Sequence, residues 1–188
     1  MGIVDANGIT TIVDAVNLHT TNSEIQQYGC RVLMNLARIE SGLLSIIEHD
    51  GIRFIRSAME NEHNSEIATL ICANLMHLAS EEGNRDLIVL NGGIGFIFFV
   101  MDKYALDINI QLYCCGALMN MALNGNQREL VVFDGVIDHI LSAMTENRAN
   151  AYIQQYGCGA LMHLAVNINQ RALIVVHGVG STLSLKIT

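Results

Sequence analysis

The chain has 188 residues, 51% of them hydrophobic and 15% charged, with a net charge of −8. It is long enough to bury a large apolar area as one domain, and its charge falls short of the roughly 25% usual in soluble domains, as expected of helices packed on neighbours along two sides. The acidic balance speaks against nucleic acid, which needs a basic stripe to offset phosphate charge, and leaves room for a basic peptide partner.

One stretch is written four times. Residues 25–37 read IQQYGCRVLMNLA, 67–79 IATLICANLMHLA, 110–122 IQLYCCGALMNMA and 153–165 IQQYGCGALMHLA. The starts are 42, 43 and 43 residues apart, a period that belongs to stacked helical units. Pro is absent, so the breaks between helices fall to Gly and Asn.

Three helices fit each period. A short first helix ends in Gly at 43–51, 85–93, 128–135 and 171–178, and Gly8, Gly51, Gly93, Gly135 and Gly178 read as left-handed C-caps. A second helix starts at Ile9, Ile52, Ile94 and Val136 and ends near Met59, Met101 and Met144. The third helix is the quoted motif, N-capped by Asn22, Asn64, Asp107 and Asn150. Its core stripe runs through Ile153, Tyr156, Ala160, Leu161 and Leu164. Gly29, Gly116, Gly157 and Gly159 inside these helices point to close approach by the first two helices of the same or the next repeat.

Residues 3–9 align with 46–52, and the last segment stops before a third helix. The sequence therefore implies one domain with repeat limits near 1–39, 40–81, 82–124, 125–167 and a partial 168–188. Either it is a piece of a longer array, or its open ends associate end to end with other copies.

A short helix ending in Gly, a second helix, then a long third helix with A-L-x-N-hydrophobic-A resembles the armadillo repeat family, on residues 32–37 and 117–122 and the junctions 51–52, 93–94 and 135–136. HEAT repeats, usually two helices per unit, resemble it less. The resemblance implies an all-α, right-handed α-solenoid of about four repeats, whose third helices line a concave groove for an extended peptide or partner protein. It also implies a ladder of side chains on the third helix, here Asn35, His77, Asn120 and His163, hydrogen-bonding a bound peptide's backbone. The alternative is that these four bond within or between repeats and hold the stack together. Gln27 and Gln155, two turns earlier, share that side with Thr69 and Leu112. In importin-like members a Trp precedes the ladder Asn by four residues. Arg31, Ala73, Gly116 and Gly159 stand there, and the absence of Trp speaks against nuclear-localisation-signal binding.

The remaining phases read as packing. Tyr28, Leu70, Tyr113 and Tyr156 are expected in the core, as are Met34, Met76, Met119 and Met162. Cys30, Cys72, Cys115 and Cys158 are expected to be small buried thiols, too far apart on stacked helices to bridge. Arg85, Arg128 and Arg171 read as a solvated outer edge. No metal-ligand spacing, cofactor fingerprint or catalytic motif is present, and His77 and His163 are two repeats apart. No signal peptide opens the chain, no apolar run reaches the ~20 residues of a membrane span, and Ala6 breaks the myristoylation pattern after Met1-Gly2. The expectation is a non-catalytic protein-interaction scaffold in the cytoplasm or nucleus. A self-associating structural segment and a regulatory arm of a larger enzyme are the alternatives.

Overall fold

A computed structural model describes residues 7–61, 65–123, 135–166, 171, 174 and 175. Among these there are ten helices and no strand. In chain order they are α1 (Gly8–Leu18), α2 (Ser23–Leu36), α3 (Glu40–Glu48), α4 (Ile52–Asn61), α5 (Ser65–Leu78), α6 (Glu82–Leu90), α7 (Gly93–Lys103), α8 (Ile108–Met121), α9 (Val136–Glu146) and α10 (Ala151–Leu164). The expected first helices at 128–135 and 171–178, Arg128 and Gly178 lie outside the described residues or nearly so.

Third helices start where their caps dictate. Asn22 Oδ1 accepts from the Glu24 and Ile25 amides at 3.1 Å each, Asp107 Oδ1 from Asn109 and Ile110, and Asn150 Oδ1 from Tyr152 and Ile153. Asn64 lies outside the described residues. The expected glycine C-caps need correction. The left-handed residue falls one position earlier, at Asn7 (φ 53°), Asp50 (φ 56°) and Gly92 (φ 82°), and only Gly135 (φ 106°) takes that conformation itself. Asn and Asp tolerate it because their short polar side chains bond locally. Gly93 is needed for space instead, since a Cβ there would lie 2.3 Å from Ile88 Cγ2 and 2.7 Å from the Ile88 carbonyl oxygen.

A continuous apolar core runs from Ile9 to Leu164. Within it α8 lies between α5 and α10 and packs on both. α2 does not join this stack but packs on α1 and α4, so the expected row of four adjacent third helices is a row of three with α2 set apart. The close pairs depend on glycine. Met76 Sδ sits 2.4 Å from where a Gly116 Cβ would be, and Met119 Sδ 2.6 Å from that of Gly159. α5 carries Ala73 at the corresponding position, and its Cβ takes the space that lets the other pairs close. The approach expected from first and second helices holds for Gly29 against Val16 and Gly157 against Met144, whereas Gly116 and Gly159 meet the preceding third helix.

This arrangement explains two more departures. Tyr156 packs near Gly116 on the preceding third helix, and Tyr113 and Tyr156 are half-buried. Leu70 faces the side where α2 is not close, and Tyr28 has no preceding third helix among the described residues, so both are exposed, Tyr28 at 61%. Met162 (61%) and Cys158 are exposed for the mirror-image reason, because no described third helix follows α10. Arg85 is not a solvated edge. It is 7% exposed, and its Nε and Nη2 donate to the Ala79 and Ser80 carbonyls at 2.8 and 2.7 Å, closing the end of α5.

Candidate protein-interaction surface

The four ladder positions end up in different surroundings. Asn35 and His77 are exposed on α2 and α5, and Asn120 and His163 are half-buried on α8 and α10. Asn120 Nδ2 donates to the Met76 carbonyl at 2.9 Å, bridging α8 to α5. His77 Nδ1 lies 2.8 Å from Glu40 Oε2, so a proton on Nδ1 faces the carboxylate and Nε2 points elsewhere. Among the described residues, no side-chain hydrogen bond engages Asn35 or His163. Thus two rungs contact the array and two leave their polar atoms to what binds.

Gln27, Arg31 and Gln155 are exposed on the same helices, interleaved with the exposed apolar groups of Tyr28, Tyr152 and Met162. The surface is therefore mixed, with rings and a thioether able to cover a peptide's side chains beside amides able to meet its backbone. Along α2, Ser23, Gln27 and Arg31 face Ser57 of α4 across a cleft of about 440 Å³.

Several positioning groups escaped the sequence reading. Gln26, Gln111 and Gln154 each donate to two carbonyls at the end of the preceding second helix, and Asn74 Nδ2 reaches the Ala37 carbonyl at 3.1 Å. The shared phase of the three glutamines was visible in the repeat. His139 was not: it stacks on Phe98 at 4.2 Å between ring centroids, with Nε2 3.2 Å from Asp102 Oδ1, and no other described repeat has its like.

The five cysteines are unpaired. The nearest thiols are Cys72 and Cys114, with 3.6 Å between sulfurs, so the contact uses Cys114 rather than the in-phase Cys115. Burial pushes Cys115 up to about 12 and Cys114 well above its ordinary value, Cys114 with a further contribution from its bond to Cys72. These are inert core thiols. Among the described residues no cluster of three or more His, Cys, Asp or Glu could hold a metal ion, and no helix is long and apolar enough to cross a membrane.

Repeated helical units with capped third helices packed side by side define an armadillo-type α-solenoid, a class that works as protein-interaction scaffolds. The family model described as LRRK2 ARM repeat matches residues 5–175, and the chain belongs to that family. A comparison with curated proteins found no match.

Proposed function

We propose that this chain is a non-catalytic scaffold that binds an extended segment of a partner protein along its third helices. The observation that carries this reading is the pair of rungs, Asn35 and His163, near opposite ends of the array. Neither side chain bonds within the protein, and each is flanked by exposed Gln27 and Arg31 or Gln155. Asn offers a donor and an acceptor, so it can pair with a peptide unit as a neighbouring strand does. His offers the same pair while neutral.

Pull-down from native lysate, followed by peptide mapping of what binds, supplies the partner segment. Hydrogen exchange of the complex should then show new protection concentrated in α2, α5, α8 and α10. Asn35→Ala with His163→Ala should weaken binding without moving the melting temperature. Protection confined to the second helices, or binding unchanged by the double substitution, would overturn the proposal.

A further inference from the structure

We infer that the cleft between α2 and α4 receives an acidic side chain of the bound segment, with Arg31 as its charge partner. This rests on the groove reading above. Arg31 is the single Lys or Arg on the four third helices, and the corresponding positions are Ala73, Gly116 and Gly159. Their carboxylates, Glu24 and Glu66, stand in the first turns of α2 and α5, away from the middle of the surface. In a chain of net charge −8, the groove therefore has one cationic position, and it is at the α2 end.

The cleft exists because α2 packs on α4 and not into the row of third helices. Its described lining combines the Arg31 guanidinium with the Gln27 amide and the Ser23 and Ser57 hydroxyls, and no described carboxylate lines it. A carboxylate only accepts hydrogen bonds, and a guanidinium presents a fork of donors that can meet both of its oxygens. Hydroxyl and amide donors at the rim can satisfy the remaining lone pairs. Gln27 precedes Arg31 by one turn and Asn35 follows by one turn. A bound backbone thus continues past Arg31 on both sides, which selects an internal Asp or Glu over a C-terminal carboxylate. The acidic residue would set the register of the segment, leaving uncharged residues to cross α5, α8 and α10.

The test is selection of random extended segments displayed on phage against the whole chain and against its Arg31→Gln variant. Arg31 is exposed, so the variant should fold, and its melting temperature checks this. Wild-type protein should enrich segments with Asp or Glu at one fixed place. The best synthetic segment should bind Arg31→Gln at least about tenfold more weakly, the loss expected of one charge-assisted contact. Its Asp→Asn or Glu→Gln counterpart should bind both proteins alike, and Arg31→Lys should recover part of the affinity. Segments enriched without a fixed acidic place, or an acidic preference that survives Arg31→Gln, would overturn this inference and leave the groove reading standing. A preference lost on amidating the segment's C-terminus would assign the cleft to chain ends and overturn it too. Enrichment of nothing would sink both.

Discussion

Lys103 Nζ donates to the carbonyl oxygen of Met59, one repeat back, and to that of Glu60 at 3.0 Å. It closes the end of α4 as glutamines close the equivalent helices elsewhere. Gln26 Nε2 reaches the Val16 and His19 carbonyls, Gln111 those of Met101 and Tyr104, and Gln154 those of Met144 and Asn147. The second repeat has Ala68 at that position. A glutamine would be of little use there, because α4 takes α2 and α7 as its main neighbours rather than α5. The donor arrives from α7.

Gln111 is buried, so its loss strands two helix-end carbonyls away from water. Gln111→Leu should cost about 1–3 kcal/mol, seen as a lower urea midpoint by circular dichroism. Lys103→Met should cost less, since Lys103 is half-buried and water can replace it. Ala68→Gln should not rescue Lys103→Met. Full rescue would mean that α5 reaches α4 after all.

Glycine substitutions should separate close packing from open helix surface. A Cβ at Gly42 would lie 2.3 Å from the Leu36 carbonyl oxygen, a backbone atom that cannot swing aside. At Gly95, in α7, nothing lies within 4 Å of the same atom. Gly95→Ala should therefore stabilise by about 0.5–1 kcal/mol through helix propensity, and Gly42→Ala should lower the melting temperature. Equal effects at the two sites would contradict the packing of α3 on the end of α2.

Much of this fold is legible in the sequence, because caps and apolar stripes are local and repeat with the helices. Asn22, Asp107 and Asn150 set three helix starts without reference to anything distant. What stays hidden is how neighbouring units sit. The displacement of α2 turns on Ala73 standing where Gly116 and Gly159 stand elsewhere, a difference of one methyl whose effect depends on the facing Met. Periodicity likewise assigned Tyr28, Met162 and Cys158 to the core, since it treats every repeat as if a third helix lay on both sides. The candidate site was legible as positions only. That Asn120 and His77 engage Met76 and Glu40, and that Gln27 and Arg31 border a cleft, are facts of inter-repeat geometry.

The thiols should divide into two groups. Cys158 is exposed and should react first with a maleimide in the native protein, whereas Cys114 and Cys115 should wait for unfolding. Burial holds both as thiols, so their contribution to stability is full below the ordinary value of 9.0 and is lost as pH rises toward about 12, the value Cys115 reaches. Over that window each buried thiol lowers the unfolding free energy by about 1.4 kcal/mol per pH unit. Cys115→Ala should flatten the alkaline side of the stability profile. An unchanged slope, or labelling of Cys115 as fast as Cys158, would place that thiol in contact with water.

The ladder itself makes the sharpest contrast, because its rungs are not alike. Asn120 donates to the Met76 carbonyl and so ties α8 to α5, whereas no described hydrogen bond holds the Asn35 side chain. Asn120→Ala removes a partner from a half-buried carbonyl and should cost about 1–3 kcal/mol of stability, whatever binds. Asn35→Ala should leave stability within about 0.5 kcal/mol, the usual range for an exposed position, yet reduce affinity for the mapped segment. If a peptide unit meets both side chains, the two substitutions lower affinity together and only Asn120→Ala lowers the melting temperature. If the ladder serves only to hold the stack, Asn35→Ala changes neither quantity and Asn120→Ala changes melting alone. Calorimetric binding of the mapped segment to both variants, beside their thermal unfolding, separates the two roles.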